Sequence, residues 1–392
     1  MRTITADERR ARLALRHHLH PSAPATSPEE AARGVVGLHA TDPATVYLAV
    51  RARVPRFEAA HLDAALYTDR SLIKHLAMRR TLWVVDRGML GAVQAGASVR
   101  VAEAERRRLV SAVEKSGLHP DGAAWLERAE TAVLGELADG HEATSTQLRE
   151  ALPVLRGTVT NGIGTRWQAE APVAPRVLTV LSAGGAVVRA TNQGAWTGSR
   201  PRWALMKAWL GTDLDCPEPD EARATLVRAW LARFGPGTLA DLVWWLGATK
   251  TATRAALRDV RAVEVGLEGE TGYVLPEDEE PVDPVEPWAA LLPGLDPTTM
   301  GWTAREWYLG PHQKQLFDRA GNAGPTAWWD GRVVGGWTQT AAGEVALQLL
   351  EPVPDHARRA LEVEAGRLGD WLAGTRVRFR FPSRLSRQHG EP

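Results

Sequence analysis

Arginines carry the most legible chemistry in this chain. Arg254 and Arg258 stand four residues apart in TATRAALRDV, which puts both guanidinium groups on one face of a helix. Arg376, Arg378 and Arg380 alternate with Val377, Phe379 and Phe381, so a strand there shows three cations on one face and three apolar side chains on the other. Arg200 and Arg202 follow GGAVVRATNQGAW, which contains Arg189 and Trp196, and Arg79 and Arg80 precede the strand-like run TLWVV. Rows of guanidinium groups bind phosphate oxygens, and an indole such as Trp196 stacks on a base or wedges a duplex. An edge strand guarded by charge, or a solvated cation at a strand entrance, gives the same pattern. Trp244 and Trp245, side by side on LADLVWWLG, read instead as core. Other chemistries lack their residues: there is one cysteine, Cys216, no Cys/His grouping with zinc spacing, no glycine-rich phosphate loop and no nucleophile elbow. No metal or cofactor is expected.

Over the whole chain, 47 basic residues balance 47 acidic ones, which argues against a polyanionic partner. The distribution argues for one. Residues 264–286 hold nine carboxylates and no lysine or arginine, so the other 369 residues carry 47 basic against 38 acidic side chains. That partition fits a protein with one face turned to a polyanion; a solvated acidic loop on a neutral enzyme fits it too.

These side chains need a scaffold, and one unit recurs three times. A Ser or Thr cap is followed three residues on by a carboxylate or amide, then by a helix, a turn and another helix: Ser27 with Glu30, Thr144 with Gln147, Thr238 with Asp241. In the third unit Gly247 permits a sharp turn into the helix of Arg254 and Arg258. Strand-like residues follow each unit (RRTLWVV, GGAVVRATNQGAW, VEVGLEGETGYVL), and a helix-turn-helix followed by a β-hairpin is the winged-helix arrangement. The last third changes character: TAWWDGRVVGGW reads as a hairpin around Asp330-Gly331, EVALQLLE as a strand, residues 356–373 as an amphipathic helix and TRVRFRF as a final strand. The expected divisions are 1–120, 121–218, 219–286 and 287–392, the first three winged helices and the last a β-rich domain.

At 392 residues, 44% hydrophobic and 24% charged, the chain is long enough for two or three folded units and balanced as globular proteins are. No run approaches the ~18 apolar residues of a spanning helix, and the opening MRTITADERRARLALRHHLH is charged where a secretory leader is apolar. A cytoplasmic protein is expected.

Five stretches in this order, GLHATDPATVYLAVRARV, MRRTLWVV, FGPGTLADLVWWLG, LLPGLDPTTMGW and GNAGPTAWWDGRVVGGW, resemble the winged-helix DNA-binding-domain superfamily that contains the azinomycin-resistance DNA glycosylases and their relatives that unhook interstrand crosslinks. The resemblance covers about residues 5–384. It implies an α+β fold of three tandem winged helices and a C-terminal β-barrel-like domain around a basic channel for duplex DNA. In those glycosylases a glutamine, an aliphatic residue and a glutamine or aspartate follow the helix of the first unit. The matching stretch here is Leu38, His39, Ala40, Thr41, Asp42: His39 replaces the first glutamine and Thr41 the second polar residue.

Hydrolysis of an N-glycosidic bond to a cationic alkylpurine needs a group that positions or deprotonates water and one that stabilises oxocarbenium-like charge. Asp42, one residue late, could supply the carboxylate, and His39 could orient water or donate to a phosphate; Thr41 cannot act as a base. Asp42-Pro43 reads equally well as a helix start, with aspartate capping and proline at N1. Asp296, in LPGLDP, could share the work from a loop bounded by prolines or be a turn residue. Two functions stay open: a monofunctional DNA glycosylase, a hydrolase of DNA repair, or a winged-helix protein that binds duplex DNA without chemistry. In either case a single chain acting on duplex DNA away from membranes is expected.

Overall fold

The structure is a computed structural model and describes residues 1–161 and 168–389. Helices and antiparallel sheets share the chain. The helix Pro28–Gly34 begins where Ser27 Oγ accepts the Glu30 N–H at 3.2 Å, with Pro28 in the first turn. Glu30 does not close the expected box on Ser27; its carboxylate accepts from the Thr26 N–H at 2.7 Å instead. Strand β1 (Leu38–His39) leads into the helix Pro43–Arg51, then the helix Ala59–Asp63, which runs directly into one π-helical turn, Ala64–Thr68. Strands β2 (Leu72–Ala77) and β3 (Thr81–Asp86) close an antiparallel sheet ordered β1-β3-β2, with His39 opposite Trp83.

The same strand order returns twice. In the second unit the helix Gly122–Glu136, β4 (Ala143–Thr144) and the helix Ser145–Ala151 precede a hairpin, β5 (Thr158–Asn161) and β6 (Ala169–Pro172). The helix Ala174–Ala183, β7 (Val187–Asn192) and β8 (Pro201–Leu205) follow, and the sheet runs β4-β8-β7. In the third, the helix Pro219–Phe234, β9 (Gly237–Thr238), the helices Leu239–Leu246 and Lys250–Asp259, and strands β10 (Val263–Leu267) and β11 (Glu270–Val274) give β9-β11-β10. Thr144 with Gln147 and Thr238 with Asp241 form reciprocal capping boxes. Gly247 ends its helix at φ 61°, a backbone state that favours glycine. The N-terminus joins this third sheet: Thr3 bridges Gly266 in parallel, and Ile4 is buried among Val265, Leu267 and Val274.

The C-terminal β region departs from expectation. Strands β12 (Ala289–Leu292), β13 (Thr326–Trp329), β14 (Arg332–Gln339) and β15 (Val345–Leu349) form an open antiparallel sheet in that order, not a closed barrel. Asp330 and Gly331 turn β13 into β14 with φ 48° and 74°, the double positive φ that a two-residue hairpin needs. The helix Asp355–Leu372 packs on the sheet through Leu361, Ala365 and Leu368. TRVRFRF joins no ladder among the described residues. It runs extended, Arg376, Arg378 and Arg380 outward and Val377 and Phe379 against the sheet core, so the alternation was right and the pairing was not. Side-chain acceptors replace the ladder: Gln339 Oε1 takes the Val377 N–H and Asp42 Oδ2 the Arg380 N–H, each at 2.8 Å.

Packing divides unevenly. The second unit keeps its own core around Leu126, Val177, Leu178 and Val187, whereas one large core runs through the first and third units into the C-terminal region. Much of the tryptophan is spent there: Trp83, Trp230, Trp245, Trp302 and Trp328 are almost fully buried, and Trp337 is equally buried in a separate cluster under the helix Asp355–Leu372. The acidic stretch is no free loop: Asp278 pairs with Arg16 at 2.7 Å, Glu277 with Arg228 at 2.9 Å, and the Glu280 carbonyl accepts from Arg12. Among the described residues no helix is long and apolar enough to cross a membrane.

Candidate functional site

The stretch Leu38–Asp42 is zipped onto β3. The Ala40 N–H donates to the Leu82 carbonyl at 2.8 Å and Thr41 Oγ1 accepts the Leu82 N–H at 3.3 Å. His39 is 4% exposed, its ring centroid 5.1 Å from that of Trp83, and its Nδ1 is buried without a hydrogen-bond partner. Burial, with the Arg79 guanidinium nearby, drives its pKa down to about 3, so the ring is neutral at neutral pH. Asp42, 3% exposed, caps the helix Pro43–Arg51, one oxygen accepting the Ala44 N–H at 3.2 Å and the other the Arg380 N–H at 2.8 Å. Burial raises its carboxyl pKa against the pull of these amides. The helix start and the carboxylate are therefore one feature.

Asp296 lies in a different environment. Every residue from 291 to 300 is buried, so the proline-bounded loop is not open to a cavity. Its carboxylate, fully buried, takes both Arg53 Nη atoms, at 2.9 and 2.8 Å, and the Thr298 N–H at 2.9 Å. Arg53 also donates to Thr298 Oγ1 at 2.8 Å, and His17 Nδ1 lies 2.9 Å from the same hydroxyl. The two aspartates are linked only through structure, where Thr45 Oγ1 on the Asp42 helix donates to the Gly294 carbonyl at 2.7 Å.

The arginines sort by what holds them. Arg80 pairs with Glu105 at 2.7 Å. Arg79, in the turn between β2 and β3 at φ 55°, lies 3.8 Å above the Trp244 ring, and Arg305 lies 5.3 Å from that ring. Burial, and then repulsion by Arg305, lowers the Arg79 pKa to about 10. Trp244 is a half-buried indole packed against the core that also faces two cations; its neighbour Trp245 is core, 1% exposed. Arg254 and Arg258 are exposed on the helix Lys250–Asp259, Arg200 is exposed and Arg202 half-buried. Arg189, half-buried on β7, lies 5.3 Å from the Trp203 ring, its pKa lowered by burial and by Arg380. Among the described residues none of Arg79, Arg189, Arg254, Arg258, Arg305 and Arg380 has a carboxylate within ion-pair distance. Trp196 packs at 5.2 Å on Tyr47 and 5.4 Å on Trp371.

Three participants escaped sequence reasoning: Arg53, Arg305 and Lys74. The signal for Lys74 was a lone ammonium inside the apolar run LIKHLA, which becomes β2. Among the described residues no group of three His, Cys, Asp or Glu side chains is placed to hold a metal ion.

Residues 32–371 match the AlkZ-like DNA glycosylase family. An interstrand DNA cross-link repair glycosylase of Streptomyces sahachiroi is 32% identical over 204 residues, 48% of this chain and 52% of that protein. The chain's match thus spans about half the length of this curated relative. The solved structure of Streptomyces sahachiroi DNA glycosylase AlkZ superposes with a TM-score of 0.74 at 25% identity, over 96% of this chain and 99% of that one.

Proposed function

The chain belongs to the AlkZ-like DNA glycosylase family, and from that premise we propose that it binds duplex DNA, as a single chain in the cytoplasm, and hydrolyses the N-glycosidic bond of bulky or crosslinked alkylpurines. Each repeated helix and sheet unit is read as a winged helix; the support is the shared strand order, first, third, second. Arg79, Arg189, Arg200, Arg202, Arg254 and Arg258 would contact phosphates, since cations held without carboxylates favour a polyanion. Arg80 is the weakest of the proposed contacts because Glu105 already neutralises it. Trp196 would stack on a base or wedge the duplex.

The observation that carries the chemistry is Asp42: a buried carboxylate hydrogen-bonded by backbone amides, with no cation in ion-pair distance among the described residues, in the stretch that aligns with the resembled signature. It would position or deprotonate the attacking water. His39 Nδ1, neutral and unpartnered, would hold that water, and Thr41 stays a structural acceptor. Asp296 is the fallback only if Arg53 releases it.

A non-catalytic duplex-binding role is the second reading. It is favoured by the same residues seen from the other side: His39 is sealed under Trp83 and both Asp42 oxygens are engaged. Single-turnover release of a cationic alkylpurine from duplex DNA decides between them. Excision is expected from the wild type and lost in Asp42→Asn; no release from any alkylated or crosslinked duplex leaves the binding role. A duplex affinity that ignores salt would sink both, because each neutralised phosphate contributes about 0.9 to the slope of log K against log salt.

A further inference from the structure

Lys74 is the one ammonium on β2, and its surroundings are built. It lines a crevice with Ala40, Pro43, Leu82, Arg189 and Trp196, so the crevice touches the stretch between His39 and Asp42. Its Nζ donates to Tyr67 Oη at 2.5 Å. Tyr67 hydrogen-bonds Tyr47, whose hydroxyl donates to Asp63 at 2.6 Å. Tyr67 is carried by the π-helical turn Ala64–Thr68, an uncommon element that recurs at functional sites. Lys74 has no carboxylate within ion-pair distance among the described residues, while Arg189 repels it and Asp63 attracts it from the far end of the tyrosine chain.

We propose that Lys74 is an amine nucleophile that captures the aldehyde of an abasic site and so gives the chain a strand-cleaving lyase activity after base loss. The inference rests on the DNA-repair reading above. An amine held among aromatic walls beside a second cation has the setting of Schiff-base lysines. Burial first, and Arg189 second, lower its pKa to about 8, leaving a useful neutral fraction near neutral pH. The proton leaving Nζ goes to water. The neutral amine adds to C1′ of the ring-opened deoxyribose, and water departs to leave an imine. The C2′ proton then goes to water, the C3′–O bond breaks, and the 3′ phosphate leaves with its electron pair, beside Arg189. Hydrolysis of the imine returns Lys74.

The crevice is closed in this structure, with about 20 Å³ free, room for one water. Trp196, packed on Tyr47 and Trp371, is one of its walls. A sugar reaches Nζ once Trp196 swings out, the movement a duplex wedge also makes.

The test uses the full chain, a duplex with one preformed abasic site, and borohydride to reduce any imine to a stable adduct. A covalent complex and strand incision are expected with the wild type, and neither with Lys74→Gln or Lys74→Arg of unchanged melting transition. Arg189→Gln should move the pH profile of trapping upward, and Trp196→Ala should speed trapping. The proposal is overturned if the wild type forms no adduct, or if Lys74→Gln forms as much. Because the abasic site is supplied, failure here leaves base excision standing, and failure of excision leaves this result readable.

Discussion

Two aspartate-proline pairs, Asp42-Pro43 and Asp296-Pro297, start helices alike and end as different groups. Each aspartate caps the helix that its proline opens, and each is buried. Asp296 meets the bidentate Arg53 guanidinium, whereas Asp42 meets the Ala44 and Arg380 amides. A carboxylate neutralised by a buried cation is a structural joint. One hydrogen-bonded by backbone amides, with the Arg380 charge acting on it outside ion-pair distance, keeps a raised pKa through burial, the property a base needs. The cap fixes where a carboxylate sits; its charge partner decides what it can do.

The largest break in this comparison is at the joint. Arg53→Met leaves Asp296 buried and unpaired and should cost the folded state about 3–5 kcal/mol, read as a lower urea midpoint. Replacing both partners by apolar residues should recover most of that loss. If the single change leaves the midpoint where it was, the pair is no joint. Asp42→Asn should instead act on chemistry, slowing excision by about 10²- to 10⁴-fold while asparagine, as good an N-cap as aspartate, keeps the helix start. Equal excision by wild type and variant would move the base elsewhere.

Acidity sharpens the contrast within one stretch, because His39 and Asp42 carry opposite signs. The His39 pKa falls from 6.5 to about 3 on folding, so its contribution is complete above pH 6.5 and is lost as the pH drops toward 3. The Asp42 pKa rises from 3.8, so its contribution is complete below that value and shrinks as the pH climbs through the folded pKa. Thermal melts should therefore show His39→Gln, which restores the resembled glutamine, resisting acid better than the wild type. Asp42→Asn should gain on the wild type as the pH rises from about 4. Parallel curves for all three proteins would remove either residue from the buried, titrating class. The smallest effect belongs to Arg380→Ala, which keeps the N–H on Asp42: stability should change by less than about 0.5 kcal/mol, while duplex affinity falls and its salt slope drops by about 0.9.

Local grammar was the readable part of this sequence. Thr144 with Gln147, Thr238 with Asp241, Gly247 and Asp330-Gly331 each act through neighbours within four residues, and each formed as its spacing implied. What failed was long-range. TRVRFRF alternates as a strand should, yet it pairs with neither edge of the open sheet among the described residues, and Gln339 and Asp42 take two of its amides. Asp296 looked like a loop residue because Arg53, 243 positions away, has no local trace. Lys74 was visible as a charge in an apolar strand, but its meaning depends on Tyr67, Tyr47 and Arg189, which only the fold assembles. Trp244 and Trp245 are sequence neighbours whose roles split because one helix face meets the core and the other meets Arg79.

The clasp between the Arg380 N–H and Asp42 has a consequence for biosynthesis. The amide that completes the aspartate's surroundings is added 338 residues after the aspartate itself. A nascent chain that has not reached residue 380 lacks that contact. The aspartate's surroundings are therefore complete only once translation has passed residue 380.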